Sequence, residues 1–137
     1  QGGVGGHAGL FSNANDLAKL MQMYLQNGEY AGERYLSEEV VKEFTKCQFP
    51  DNDNRRGAGF DKAALPDEEG GPASENASQE GFGHSGFTGT LVWADPETQI
   101  VYVFLSNRIH PDATNKKLLD MDVRTNIMEV IFNSVND

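Results

Sequence analysis

The sequence predicts an α+β fold in which an antiparallel β-sheet is flanked by helices. Two helical patterns open the chain, two strand-like runs joined by a short turn follow residue 81, and a third helical pattern closes it. Helices and strands that occur in separate blocks along a chain are typical of this fold class. A length of 137 residues suits one domain, so we expect residues 1–137 to form a single unit.

The first helix is predicted after the glycine-rich segment at residues 1–9. Ser12 or Asn13 can cap its amino end, and Gly28 can end it in the left-handed conformation. Its apolar residues recur at helical spacing and predict one buried stripe. The stripe consists of Leu17, Leu20, Met21, Tyr24 and Leu25.

The second helix is predicted to begin at Ser37 and to end before Pro50. Two glutamates directly after Ser37 favour a helix amino terminus, because its dipole is positive there. We expect Val40, Val41 and Phe44 to face the core.

Residues 50–80 are polar, acidic and rich in turn formers. They predict a long surface excursion around one short strand within residues 57–65, with little core of its own. The acidic run at residues 61–80 could also serve as a protein-binding surface, although such runs are usually solvated loops.

The strand pattern begins at residue 82, and residues 88–94 are rich in β-branched and aromatic side chains. Residues 95–98 predict a turn with proline at its second position. The run from Ile100 to Leu105 is apolar without interruption. It predicts a central strand that is covered on both faces.

The third helix is predicted from about residue 115 to residue 135. Val123, Ile127, Val130 and Ile131 form its predicted buried stripe.

Composition excludes several classes of function. The formal net charge of −10 argues against a nucleic-acid partner, because lysine and arginine supply the attraction to phosphate. The single cysteine, Cys47, cannot form a disulfide within the chain. The three histidines, His7, His84 and His110, lack the spacing of metal ligands, so no metal or other cofactor is expected.

Residues 81–86 read GFGHSG and match the glycine pattern of a dinucleotide-binding loop. Such a loop must precede a helix, whose amino terminus meets the pyrophosphate, whereas a strand follows here. A nucleophile elbow of the form G-x-S-x-G is matched only in part, because Phe87 stands where its last glycine belongs. The elbow remains an alternative, and the dinucleotide site is rejected.

The segment GHSGFTGTLVWADPETQIVYVFLSNRIHP, residues 83–111, resembles the third motif and the following hairpin of the serine β-lactamase and penicillin-binding-protein family. It is most similar to the class C-like branch, which includes esterases and D-aminopeptidases. The segment GHAGLFSNANDLAKLMQMYLQNGEYAGERYLS, residues 6–37, resembles the glycine-rich approach and helix of the same family. The resemblance covers nearly the whole chain except the acidic excursion, and it implies a β-lactamase/transpeptidase-like fold.

The resemblance also implies roles in acyl transfer. His84 and Ser85 would point into the active-site cleft, where they bind a substrate carboxylate or help to relay a proton. The backbone N–H of Phe87, directly after Gly86, would stabilise the oxyanion. Asn107 and Thr88 would contact the substrate. Each residue also has an ordinary structural interpretation: His84 as a strand residue, Ser85 as a turn residue and Asn107 as a cap.

The family nucleophile is the serine of an S-x-x-K motif, and this chain has none in the right place. Residues 114–117, TNKK, match the letters but follow the third motif instead of preceding it, and we interpret them as a helix start. Residues 74–76, SEN, match the second motif by letters but lie in the acidic excursion. We therefore expect the chain to be the C-terminal part of a β-lactamase-like domain, inactive by itself.

The alternative is a non-catalytic binding module of the same fold. Either interpretation expects a small-molecule or peptide ligand for the whole protein and no nucleic acid. A sheet that lacks its upstream strands would expose an edge, through which the chain could associate with itself. The resemblance implies a periplasmic or extracellular location.

Overall fold

A computed structural model describes residues 2–3, 5–52, 54–65, 68 and 70–136 of the chain. Helices and antiparallel strands occur together in it, which confirms the predicted α+β class. The helices are α1 (Ala14–Leu25), α2 (Glu38–Thr45), α3 (Lys117–Asp120) and α4 (Val123–Asn136), with a 3₁₀ turn at Pro50–Asn52. Among the described residues, no helix combines the length and apolarity that crossing a membrane requires.

The first two helices are capped as their sequences predict. The Asn13 side chain accepts a hydrogen bond from the Asp16 N–H at 3.1 Å, and the Ser37 hydroxyl accepts one from the Val40 N–H at 3.3 Å. Each bond satisfies one of the N–H groups that the first turn of a helix leaves without a backbone partner.

The strands form two antiparallel sheets. The smaller sheet pairs β1 (Glu29–Tyr30) with β2 (Glu33–Arg34). The larger sheet contains β3 (Asp61–Lys62), β4 (Phe82–Ser85), β5 (Leu91–Asp95) and β6 (Ile100–Phe104). Its strand order is β3-β4-β5-β6, the order in which the strands occur along the chain.

Helices cover both faces of the larger sheet, and each face has its own apolar cluster. On the face that carries α1, the buried residues are Met21, Leu25, Phe82 and Ala94. On the face that carries α4, they are Ala63, Ala77, Leu91, Trp93, Tyr102, Met128 and Phe132. Successive residues of β5 alternate between these clusters, as the pleat of a strand requires.

The predicted helix stripes are partly wrong in phase. Leu20, Val40, Phe44, Ile127 and Val130 were expected in the core, and the structure exposes all five. In α4 the buried side chains are Met128 and Phe132, which are four residues apart and so share one helix face. Several apolar stripes fit the composition of each helix, and only packing against the sheet selects one.

The strand predictions are corrected at two places. Strand β6 has both faces covered as predicted, but it lies at the edge of the described sheet and not at its centre. Residues 88–90 were predicted as strand and instead belong to the β4–β5 connection. The hydrogen bond between the Gly86 N–H and the Thr90 carbonyl leaves residues 87–89 as the loop of this connection. Gly89 has a φ of +93°, a conformation that favours glycine.

The excursion at residues 50–80 contributes more to the core than its composition predicts. Ala63 and Ala77 are buried in the cluster beneath α4. The buried Asp95 carboxylate, at the end of β5, accepts hydrogen bonds from the Ser78 N–H at 2.7 Å and the Ser78 hydroxyl at 2.8 Å. These bonds fasten the excursion to the sheet.

Candidate active site

The predicted tripeptide lies at the end of β4 in the larger sheet. His84 and Ser85 are the last two residues of the strand, and Gly86 begins the connection to β5. His84 and Gly86 are exposed, and Ser85 is half-buried. The tripeptide therefore lies on the margin of a sheet, as the family resemblance implies.

Backbone pairing leaves one side of β4 open at this point. The Gly86 N–H donates to the Thr90 carbonyl at 2.9 Å, which joins Gly86 to β5. Alternate residues of an antiparallel strand turn their N–H and C=O groups to opposite sides, so the backbone of Ser85 faces away from β5. On that other side β3 pairs with Phe82 and Gly83 only. Among the described residues, no strand pairs with the edge of β4 beyond Gly83.

The side chains of His84 and Ser85 leave the strand on opposite faces, because they are successive strand residues. His84 pairs with Val92, which packs on the α1 side of the sheet, and Ser85 pairs with Leu91, which packs on the α4 side. The two side chains therefore start from opposite faces of the sheet, and their entry into one cleft stays a prediction.

The His84 ring bends back onto this margin. Its Nδ1 atom lies 2.7 Å from the Ser85 carbonyl oxygen. A carbonyl oxygen only accepts hydrogen bonds, so Nδ1 carries the hydrogen and donates it. In the neutral ring this leaves Nε2 as an acceptor, which is the state required of a proton acceptor or of a partner for a substrate N–H or O–H.

The Phe87 N–H lies in the turn that follows Gly86. The Gly89 N–H donates to the Gly86 carbonyl at 2.9 Å and closes a four-residue turn in which Phe87 is the second residue. A turn of this type uses the N–H of its fourth residue and leaves the N–H of its second residue free. Within the described part of the chain, the Phe87 N–H has no backbone acceptor.

Residues 106–108 pack against this turn. The Thr88 carbonyl accepts a hydrogen bond from the Ser106 hydroxyl and another from the Arg108 N–H, each at 3.0 Å. The Arg108 guanidinium lies 4.7 Å from the centre of the Phe87 ring. The exposed Asn107 lies between these two contacts, so the structure brings Asn107 to the same turn as Phe87 and Thr88.

Comparisons with known proteins decide the family of this chain. Residues 1–124 match the family model described as Beta-lactamase. Proteins from Salmonella paratyphi B and Salmonella newport, both provisionally named D-alanyl-D-alanine carboxypeptidase, are 37% identical to it over 123 residues. The chain belongs to the β-lactamase family. The membership predicted from residues 6–37 and 83–111 is confirmed.

A solved structure of a family member supports the fold. A β-lactamase from Mycobacterium bovis superposes with a TM-score of 0.66 over 90% of this chain, at 22% sequence identity. The chain covers 44% of that structure and 26% of the length of the two Salmonella proteins. It therefore spans about a quarter of the length of these Salmonella relatives.

The two chance matches to the family motifs, residues 74–76 and 114–117, lie in the excursion and at the start of α3. The hydroxyl of the buried Ser74 donates to Glu129 of α4, and the Asn76 amide donates to the same carboxylate. Residues 74–76 therefore fasten the excursion to α4, and their interpretation as a chance match to the second motif stays a prediction. Residues 114–117 lead into α3, which begins at Lys117.

Residues 84–88 and 107 line neither of two cavities formed by the described residues. The larger, of about 900 Å³, lies between the excursion and α4 and is lined by four carboxylates, those of Glu68, Glu75, Asp122 and Glu129. The smaller, of about 220 Å³, is apolar and lies beside α1 and α2. Within the described ranges, no group of three His, Cys, Asp or Glu residues is placed to hold a metal ion.

Sequence reasoning missed three residues that hold the margin in place: Ser106, Arg108 and Arg124. The Arg124 guanidinium donates to the Thr90 carbonyl at 3.3 Å, from the side of α4. These contacts join residues 18 to 34 positions apart, and no local pattern announces them. The position of Ser106 and Arg108 on either side of the predicted Asn107 was the available signal.

Proposed function

We propose that this chain forms one wall of the active site of a β-lactamase-family serine hydrolase, which acts by acyl transfer on a β-lactam, peptide or ester substrate. The observation that carries the proposal is the open margin of β4, where the Ser85 backbone and the Phe87 N–H lack backbone partners among the described residues. A free N–H beside an open strand edge is what an acyl-transfer site needs to bind a carbonyl oxygen that gains charge.

The margin would act in two ways. An extended substrate would lie beside residues 84–86 as an added strand, and its backbone would pair with that of Ser85. The scissile carbonyl oxygen would then accept a hydrogen bond from the Phe87 N–H. His84, through Nε2, would accept a proton or a hydrogen bond, whereas Ser85, Thr88 and Asn107 would contact substrate polar groups. The names of the Salmonella relatives favour a peptide that ends in D-Ala-D-Ala.

The attacking serine is proposed to lie in a segment that precedes residue 1 in a longer polypeptide. Hydrolysis through an acyl-enzyme needs a nucleophile and a base that activates it. The sequence of residues 1–137 offers neither an S-x-x-K motif before the margin nor a second-motif candidate outside the excursion. We expect the isolated chain to be inactive for that reason.

The test compares the isolated chain with the polypeptide that its gene encodes. Both are assayed with a chromogenic cephalosporin, a p-nitrophenyl ester and a peptide that ends in D-Ala-D-Ala. We expect turnover only by the longer polypeptide, and its loss when the serine of the upstream S-x-x-K motif is replaced by alanine. Serine-dependent turnover by residues 1–137 alone would refute the proposal. A longer polypeptide that binds these compounds without turnover would instead favour the non-catalytic module.

We also propose that the isolated chain associates with itself through the outer edge of β6. Leu91, Trp93 and Asp95 pair with β6 through their backbones, so the N–H and C=O groups of Val101 and Val103 face outward. Strand β6 contains no proline or charged residue, the features that natural edge strands use against unwanted pairing.

The proposed location of the whole protein is the periplasm or the extracellular space, as the family resemblance implies. Cell fractionation with an antibody against residues 1–137 tests it, and recovery of the protein only with a cytoplasmic marker would contradict it.

A further inference from the structure

The exposed Phe87 side chain stacks against a cation, the Arg108 guanidinium. The ring is 73% exposed, so little packing fixes its orientation. The Arg108 guanidinium covers one of its faces at 4.7 Å from the ring centre, within the range of a cation–π contact. Because the ring and the N–H belong to the same turn residue, a contact that restrains the ring also restrains the direction of the N–H.

The backbone of the same arginine holds the next residue of the turn. The Arg108 N–H and the Ser106 hydroxyl both donate to the Thr88 carbonyl. The side chain of Arg108 thus restrains Phe87 while its main chain restrains Thr88. The Phe87 N–H belongs to the preceding peptide unit, whose Gly86 carbonyl accepts a hydrogen bond from the Gly89 N–H. That bond and the two Arg108 contacts together restrain the backbone on both sides of the Phe87 Cα atom, whose dihedral angles set the direction of the N–H.

The charge of Arg108 is not neutralised by the described part of the chain. No carboxylate of the described residues lies within 4 Å of the Arg108 guanidinium. Its Nη1 atom donates one long hydrogen bond, of 3.4 Å, to the Ala113 carbonyl. The Nε atom is buried without a hydrogen-bond partner among the described residues. Stacking on Phe87 is therefore the side-chain contact that places the guanidinium at this turn.

We propose that Arg108 is a positioning residue that acts through the Phe87 ring and holds the Phe87 N–H in the orientation needed to stabilise an oxyanion. This inference rests on the proposed function of that N–H. A donor that is aimed at the transition state affects kcat more than KM, because its hydrogen bond strengthens only as charge develops on the carbonyl oxygen.

The kinetic test uses four variants at residues 87 and 108 of the longer polypeptide and one control variant. Arg108→Met removes the charge and the planar group, and we expect kcat to fall about tenfold with KM changed less than about twofold. Arg108→Lys keeps a cation over the ring and should recover part of the loss. Phe87→Leu removes the ring, and the Arg108→Met/Phe87→Leu double variant should be no slower than the slower single variant. Arg34→Met, which removes an exposed guanidinium at the smaller sheet, is the matched control.

Two kinetic outcomes would overturn the inference. Losses that multiply in the double variant would show that Arg108 does not act through Phe87. A rise in KM alone for Arg108→Met would make Arg108 a direct substrate contact.

A second test does not depend on turnover. In residues 1–137, Arg108→Met should shift the amide resonance of Phe87 and speed hydrogen exchange at the Gly89 N–H, which closes the turn. Arg34→Met should leave both unchanged. Unchanged Phe87 and Gly89 amides in Arg108→Met would overturn the inference even if the longer polypeptide is active. Absence of turnover with altered amides would instead place the failure in the proposed function.

Discussion

Replacing Gly89 by alanine tests how tightly the turn is seated against residues 106–108. Gly89 has a φ of +93°, and an alanine Cβ at this position would come within 2.5 Å of the Ser106 Oγ atom. Two Leu118 methyl carbons, at 3.3 and 3.4 Å, limit the movement that could relieve the contact. The substitution therefore adds a steric clash to backbone strain.

The two costs can be separated with a matched glycine. Gly32 has a φ of +83° and no atom within 4 Å of its added Cβ. Gly32→Ala should therefore measure the strain of the left-handed region alone, about 1–2 kcal/mol. Gly89→Ala should add the cost of overpacking, typically about 1–3 kcal/mol, to a similar strain. We expect Gly89→Ala to be the more destabilising of the two by about 1–3 kcal/mol.

The assay is urea-induced unfolding of residues 1–137, followed by circular dichroism, for both alanine variants. A third variant, Gly89→Ala/Ser106→Ala, removes the hydroxyl that the new methyl group meets and should regain part of the lost stability. Equal destabilisation by Gly89→Ala and Gly32→Ala would refute the claim that the turn is seated against Ser106. Failure of the double variant to regain stability would assign the clash to Leu118.

Three further predictions concern the core, the pH dependence and the sheet edge. Phe132→Ala should lower the free energy of unfolding by about 3–5 kcal/mol, and Val130→Ala, on the exposed side of α4, by no more than about 0.5 kcal/mol; similar losses would contradict the observed phase of α4. Burial lowers the pKa of Lys62, so the unfolded state binds more protons than the folded state between that lowered pKa and about 10.4. The free energy of unfolding of the native chain, measured by urea titration relative to Lys62→Met, should therefore rise with pH through that window. If the difference in unfolding free energy stays constant or falls with pH, the claim that burial lowers the pKa of Lys62 is wrong. Val103→Lys should abolish self-association in sedimentation velocity, whereas a monomeric unmodified chain at high concentration would rule out pairing through β6.

Much of the candidate site was predictable because its signals are local. The residues His84, Ser85, Gly86 and Phe87 are consecutive, and their neighbouring glycines indicate a tight connection between two strands. Successive side chains of a β-strand point to opposite faces of the sheet, so the sequence indicates which residues of β4 and β5 share a face. Helix caps were found for the same reason, because Asn13 and Ser37 act on backbone groups three residues away.

The sequence by itself determined the fold class, the family and the tripeptide at the strand margin, because each depends on residue types at short and regular spacing. Only the tertiary structure decided that Met128 and Phe132 face the sheet, that β6 lies at its described edge, and that Ser106 and Arg108 hold the turn from 18 or more residues away. The physical reason is that burial and long-range hydrogen bonds depend on which surfaces meet in space, and several such arrangements are compatible with the same local pattern.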